Sequence, residues 1–118
     1  MSDTRPLPEI LHIASPSEWD TAQQTGEIAP PSLATEGFVH CSTRQQLAGT
    51  LARHFTGAGV LVLLTLDATA IAGALRWEQS LPGETPFPHV YAPIPVEAVV
   101  AVEQIEHIGD TPPDLGEI

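Results

Sequence analysis

Apolar and alternating runs along the chain predict a small α+β domain. The longest apolar run, Gly59–Leu66 (GVLVLLTL), has the length of one strand and is rich in Val and Leu, so it is predicted to be a central strand buried on both faces. Shorter runs at Glu9–Ala14, Phe38–Cys41 and Val99–Ile105 predict further strands, and Leu75–Glu78 alternates like a half-buried strand. The pattern therefore predicts about five or six strands in a small mixed sheet.

Two main helices are predicted between these strands. The segment SPSE from Ser15 combines an N-cap serine, a proline in the first helical position and a capping-box glutamate, so a helix is predicted to run to about Thr25. The segment STRQ from Ser42 repeats the capping box with glutamine as its third helical residue, and apolar residues follow at helical spacing as far as Phe55. Asp67 is predicted to cap a short helical turn.

Prolines and polar residues predict the loops and the end of the chain. Residues 28–36 contain two consecutive prolines and are predicted to be a loop. The segment Phe87–Ile94 is also rich in proline, which predicts an edge strand or an ordered loop because proline cannot donate to a sheet ladder. Residues 109–118 are polar, so residues 1–108 are predicted to form the single domain and 109–118 a tail.

Composition and charge limit the partners. A chain of 118 residues with 42% hydrophobic content has enough apolar side chains for one core. Fifteen acidic residues against four arginines give a net charge of −11, which disfavours nucleic acid and anionic membranes. The single cysteine, Cys41, excludes an internal disulfide, and the start MSDTRPLPEIL lacks the features of a signal peptide. A cytoplasmic protein is therefore expected, and its oligomeric state is left open.

Three of the five histidines lie in short apolar strand segments. His12 and His40 each lie near the end of a strand that leads into a helix, where open α/β sheets tend to place ligands. His89 shares a strand face with Phe87 and Tyr91. The three histidines are candidate catalytic residues that would converge in one polar cleft, although each alone is better explained as a partly buried ring bonded to backbone. They also match the donors of catalytic zinc, but their spacing matches no short ligand motif.

Other polar residues are candidates for ligand binding and for catalysis. Ser42 and Arg44, at the predicted helix start, favour a small anion. Arg76 and Glu78 share one strand face, where Glu78 would act as a base or polarise a hydroxyl and Arg76 would be a second contact for an anion. Cys41 is predicted to face the core as a small apolar residue rather than to act as a nucleophile.

A family resemblance rests on the order of several motifs. These motifs are LHIA with His12, then Trp19, EGFVHCS with His40, Gln45, VLVLLTLD, RWE with Glu78, and FPHVYAPIP with His89 and Tyr91. In this order the chain resembles the bacterial family known as domain of unknown function 952, over residues 9 to 105. Through that family it resembles the ADP-ribosyltransferase-like fold, a compact split β-sheet whose members bind a nicotinamide dinucleotide between two small sheets. The resemblance therefore implies that the mixed sheet is split or curved.

The resemblance implies roles for individual residues. His12 would contact a ribose hydroxyl, Tyr91 would stack on nicotinamide, and Glu78 or His89 would stabilise an oxocarbenium-like transition state. NAD is the implied cofactor, with ribosyl transfer or hydrolysis as the reaction. The first hypothesis is therefore that the protein binds a nucleotide-like or other small anionic metabolite. Two other hypotheses stay open: a non-catalytic module that binds a small molecule, and a small His-based hydrolase with or without zinc. Whether the protein is an enzyme is left open.

Overall fold

The computed structural model describes residues 9–55, 57–79 and 82–107. Its elements in chain order are β1 (Ile10–Ala14), α1 (Pro16–Thr25), β2 (Glu27–Ile28), α2 (Pro31–Thr35), β3 (Val39–His40), α3 (Arg44–His54), β4 (Gly59–Leu66), β5 (Leu75–Glu78), β6 (Phe87–Val90), β7 (Ile94–Pro95), a single 3₁₀ turn (Val96–Ala98) and β8 (Val99–His107). The α+β class is confirmed. Within the described ranges the strands form three sheets, ordered β1-β4-β8, β3-β6-β5 and β2-β7, and every pairing is antiparallel. The prediction of a mixed sheet is therefore wrong, because no described pair of strands is parallel.

The β1-β4-β8 sheet contains the core. β4 is the middle strand, as its continuous apolar sequence predicts, and its last six residues are buried. Because side chains alternate between the two faces of a strand, β1 and β4 supply two separate apolar clusters. One cluster packs Ile10, Val62 and Leu64 with Ala22 of α1. The other packs Leu11 and Leu63 with Leu47 and Leu51 of α3.

The first helix begins and ends where the sequence predicts. Ser15 is the N-cap of α1, and its Oγ accepts a hydrogen bond from the Glu18 amide at 3.0 Å. Gly26 ends the helix with a left-handed φ of 92°, which a residue with a Cβ adopts only at a cost. The chain therefore leaves α1 at a fixed point and runs directly into β2.

The second main helix begins one residue later than predicted. Its N-cap is Thr43, which forms a complete capping box with Gln46. Ser42 instead forms an antiparallel bridge with Leu11, through backbone hydrogen bonds of 2.7 and 2.8 Å. The Ser42 hydroxyl is buried against the Thr50 hydroxyl at 3.1 Å. Ser42 is therefore a link between two sheets, and it leaves the capping of α3 to the next residue.

The proline-rich segment contains the middle strand of the small sheet at Phe87–Val90, so the prediction of an edge strand or loop is wrong for that part, while residues 91–93 form no strand. β6 lies between β3 and β5 although it contains Pro88. The carbonyl of Pro88 accepts a hydrogen bond from the amide of Cys41, just beyond the two-residue β3. Because the N and C=O of one strand residue point to the same side, the missing N–H of Pro88 also faces that side. The ladder between β6 and β5 therefore loses no hydrogen bond.

Three further predictions concern the loop at residues 28–36, the turn at Asp67 and the tail. Residues 28–36 are not all loop, since they include the end of β2 and the short helix α2. Asp67 starts a turn in which Oδ1 accepts from the Thr69 amide and hydroxyl, and no helix follows. The predicted tail, residues 109–118, lies outside the described residues. Among the helices that are described, none combines the length and the apolar sequence needed to cross a membrane.

Candidate functional site

A buried histidine and a glutamate join the end of β1 to the first turn of α1. His12 is 5% exposed. Its Nε2 lies 2.8 Å from Oε2 of Glu18, and its Nδ1 lies 2.9 Å from the backbone carbonyl oxygen of His40. A carbonyl and a carboxylate only accept hydrogen bonds, so both ring nitrogens must donate. The geometry therefore favours a positively charged His12 ring.

The electrostatics of His12 agree with this geometry. Burial lowers the pKa of His12, but hydrogen bonds with Cys41 and Glu18 outweigh burial and raise that pKa from 6.5 to about 10. Cys41 is buried, as predicted, yet it also neighbours the His12 ring because it follows His40 at the end of β3. The ionisable side chains of His12, Glu18 and Cys41 thus form one cluster around the buried ring.

A cleft of about 910 Å³ opens over this cluster. Its floor contains His12, Cys41 and Ser42. Apolar side chains from β1 and β4, with prolines and phenylalanines from the neighbouring segments, form most of its walls. Polar or ionisable residues line the rest, namely Ser15, Glu18, Ser32, Glu36, His40, Thr50, Arg53, His54 and Glu84. Volumes of about 300–1,000 Å³, with mainly apolar walls and a few polar groups, are typical of sites for small organic ligands.

His40 lies between the cleft and the face of the small sheet. His40 lines the cleft, and its Nε2 lies 3.1 Å from a carboxylate oxygen of Glu36. Its direct partner across the β3–β6 ladder is His89, and the two ring centres are 5.4 Å apart. The three predicted histidines therefore meet around His40, which contacts His12 through its carbonyl and His89 through its ring.

A second polar cluster lies on the face of the β3-β6-β5 sheet. Oε1 of Glu78 accepts hydrogen bonds from Nδ1 of His89 at 2.8 Å and from the hydroxyl of Tyr91 at 2.7 Å. The Phe38 ring stacks on the His89 ring, with centres 4.1 Å apart, and leaves His89 only 6% exposed. The Arg76 guanidinium lies 5.6 Å from the centre of the Tyr91 ring. This cluster brings together Glu78, His89, Tyr91 and Arg76 of the predicted residues.

The ionisation of this second cluster follows from the shared carboxylate. The Tyr91 hydroxyl, followed by His89, stabilises the charged form of Glu78 and lowers the pKa of its carboxyl group. The same hydrogen bond raises the pKa of the Tyr91 hydroxyl, since Tyr91 loses a proton less readily beside a carboxylate. Glu78 is therefore a carboxylate, and Tyr91 is a neutral donor, at neutral pH.

The structure does not join Ser42 and Arg44 into an anion site. The hydroxyl of Ser42 is bonded to Thr50, and the Nε of Arg44 points to Glu9 at 3.0 Å. Ser42 lines the cleft, whereas Arg44 does not. The first turn of α3 is already capped through Thr43.

The positions of the histidine rings decide whether they could bind a metal ion together. Within the described ranges, no group of three or more His, Cys, Asp or Glu side chains is placed to hold a metal ion. His12 uses both nitrogens for Glu18 and for the His40 carbonyl, so it has no free donor for zinc. The three histidines meet through hydrogen bonds and ring contacts rather than around a common point.

Sequence reasoning missed several residues that line or support the site. Glu18 matched the capping box, but its side chain bonds to His12 instead of reaching back to the helix start. The sequence did contain a signal for this pair, because the histidine lies at a strand end and the acid lies six residues later, in the helix that follows. Phe38 and His54 had local explanations, as a strand residue and a helix-end cation, although one covers His89 and the other lines the cleft.

Comparisons with known proteins identify a family and a group of solved structures. The model of the family described as "Protein of unknown function (DUF952)" matches residues 13–102. A crystal structure of protein CC0527 from Caulobacter crescentus is 34% identical, with a TM-score of 0.79, over 92% of this chain and 96% of that chain. A solution NMR structure of CC0527 is 35% identical, with a TM-score of 0.77, over 94% and 96% of the two chains. No curated protein matches significantly.

Proposed function

For this chain, which belongs to the family described as protein of unknown function (DUF952), we propose that the cleft binds a small, uncharged or cationic organic molecule. The observation that carries the proposal is a cleft of about 910 Å³ whose floor holds the buried His12 ring, which is paired with the partly exposed Glu18. Its mainly apolar walls supply binding energy, and its few polar groups orient the ligand. Binding without turnover is sufficient to account for these features.

The charges in the cleft favour this ligand class over an anionic one. Three carboxylates line the cleft, and each has a basic partner: Glu18 with His12, Glu36 with His40, and Glu84 with Arg53. Arg53 is the one arginine in the described lining, and its Nη1 lies 3.6 Å from Glu84. An anion would have to compete with these carboxylates for the cations and would enter against a net protein charge of −11.

NAD with ribosyl transfer or hydrolysis is the second candidate, and the specific observation that favours it is the exposed aromatic surface of Tyr91. This ring is 39% exposed beside the histidine cluster, and an exposed aromatic face is suited to stacking on a planar heterocycle. The pyrophosphate of NAD is anionic, however, and Arg44 pairs with Glu9 outside the cleft. We therefore expect NAD to bind more weakly than an uncharged or cationic probe of the cleft.

The test uses three probes that share one ring and differ in charge: benzylamine, benzyl alcohol and benzoate. Amide NMR spectra of ¹⁵N-labelled protein are recorded with each probe, and with NAD. We expect shifts at the cleft residues Thr50, Phe55 and Ala58 with the amine and the alcohol, and much smaller shifts with benzoate and NAD. No shift with any probe, or strongest binding of benzoate or NAD, would contradict the proposal.

A pair of variants tests whether the probes bind in the cleft or elsewhere on the surface. Ala58 lines the cleft and Ala72 does not, while both side chains are exposed. Ala58→Trp should reduce binding of benzylamine and benzyl alcohol several-fold by filling the cleft, and Ala72→Trp should leave it unchanged. Equal binding by both variants would place the probes outside the cleft.

A further inference from the structure

Two hydroxyl groups, those of Ser42 and Thr50, share one hydrogen bond, and both residues line the cleft. Their oxygens are 3.1 Å apart. Each hydroxyl has one hydrogen to donate and can also accept. The bond between them uses one of the two hydrogens, whichever hydroxyl is the donor. The other hydrogen therefore needs an acceptor outside the pair.

The part of the chain that the structure describes supplies no acceptor for this second hydrogen. The backbone amides and carbonyls of Ser42 and Leu11 are already bonded to each other in the bridge between the two residues. Ser42 is 2% exposed, which leaves its hydroxyl little access to bulk water. Buried donors without an acceptor are rare in native proteins, because they lose their hydration without compensation. The hydroxyl pair is therefore a candidate contact for a ligand.

The other two serines in the described lining of the cleft differ from this pair. The hydroxyl of Ser32 donates its hydrogen to the Phe38 carbonyl at 2.8 Å. Ser15 is exposed, so water can accept from its hydroxyl. Among the described serines of the cleft, only Ser42 thus combines burial with a hydroxyl hydrogen that its pair does not use.

From this count we infer that the Ser42–Thr50 pair donates a hydrogen bond to an uncharged acceptor of the molecule in the cleft, such as a carbonyl oxygen. The acceptor is uncharged because an anion would meet the carboxylates of Glu18, Glu36 and Glu84 in the same lining. A ligand without an acceptor would displace water from the pair and return no hydrogen bond. The inference rests on the proposed function and narrows its ligand class to molecules with a carbonyl or a similar acceptor.

The experiment compares acetophenone with α-methylstyrene, in which a CH₂ group replaces the carbonyl oxygen. The Kd of each probe is measured in the full chain from the amide shifts of Phe55 and Ala58, which line the cleft. α-Methylstyrene is the more hydrophobic probe, so the ratio of the two Kd values in one protein also contains a difference in transfer from water. The change of that ratio between the wild-type protein and a variant isolates the contact of the carbonyl oxygen.

The test variant combines Ser42→Ala with Thr50→Val, since either hydroxyl alone would keep one free hydrogen. In this double variant the affinity for acetophenone relative to α-methylstyrene should fall about 3- to 10-fold, the value of one neutral hydrogen bond. Ser32→Ala is the matched control, because it removes a cleft hydroxyl whose hydrogen is bonded to Phe38, and it should keep the wild-type ratio. If the double variant does not fold, the wild-type protein decides: an NOE should join the acetophenone methyl group to the Thr50 methyl group, and its absence overturns the inference.

The outcomes separate the two proposals. If both probes shift the cleft amides and the double variant keeps the wild-type ratio, the inference about the hydroxyl pair is overturned and the proposed function stands. An equal fall of the ratio in Ser32→Ala overturns the inference as well, since the loss would not be specific to the pair. If neither probe shifts the cleft amides, the proposed function fails and the inference fails with it.

Discussion

Replacing Glu18 by Gln removes the charge opposite His12 and keeps the size of the side chain. In the wild-type protein the His12 ring donates to the His40 carbonyl and to Glu18, so it needs both of its protons. The pKa of His12 is raised from 6.5 to about 10 in the folded protein. Because the folded pKa is above the unfolded one, this proton stabilises the fold fully below pH 6.5, and its contribution is lost as the pH rises toward 10.

The size of the effect follows from the pKa shift. One pKa unit corresponds to about 1.4 kcal/mol, so the free energy of unfolding of the wild-type protein should fall by up to about 4 kcal/mol between about pH 6.5 and about pH 9.5. Glu18 supplies part of this, since Cys41 also acts on the ring. Gln at position 18 can still accept from Nε2 but carries no charge, so the variant should lose about 1–3 kcal/mol at neutral pH and show a shallower fall.

Urea unfolding at a series of pH values measures both quantities. Asp20→Asn is the matched control, because it removes one negative charge from an exposed position of the same helix. The control should follow the wild-type pH profile with nearly unchanged stability. The reasoning would be refuted by equal pH profiles for Glu18→Gln and the wild-type protein, or by a wild-type stability that rises between pH 6.5 and 9.5.

Three further predictions concern the elements around the site. Thr43→Ala removes the side-chain cap of α3 and should cost about 1 kcal/mol in urea unfolding; no loss would mean that Ser42 or another group caps the helix. Leu51→Ala opens the fully buried cluster beneath α3 and should cost about 2–5 kcal/mol by the same measurement; a smaller loss would show that the cluster can collapse. Tyr91→Phe removes a donor to Glu78 and should raise the pKa of that carboxyl group, observed by ¹³C NMR titration; an unchanged titration would contradict the shared hydrogen bond.

Elements with local causes were predictable from the sequence. The apolar run of β4 and the cap at Ser15 depend on neighbouring residues, and both lie where predicted. The position of β6 depends on which strands flank it, and Pro88 is tolerated there only because β3 ends beside it. The pairing of Ser42 with Leu11 is another long-range effect, and it shifts the start of α3 by one residue.

The histidines of the candidate site were predictable from the sequence, but their arrangement was not. His12, His40 and His89 are recognisable as histidines in apolar strand segments, and the fold brings them near one another. Their division between a cleft and a sheet face requires the strand order, which local patterns do not contain. Glu18 was missed for a different reason, since the capping pattern already explained an acid at that position.

The bridge between Leu11 and Ser42 has a consequence for any ligand of the cleft. Two backbone hydrogen bonds join the two strand ends there, and the bond from His12 to the His40 carbonyl adds a third beside them. These bonds hold the cleft floor in one arrangement before a ligand arrives, so little conformational entropy remains to be lost there on binding. Selectivity among ligands should therefore arise from shape and donor placement against a preorganised floor, with adjustment confined to the rim.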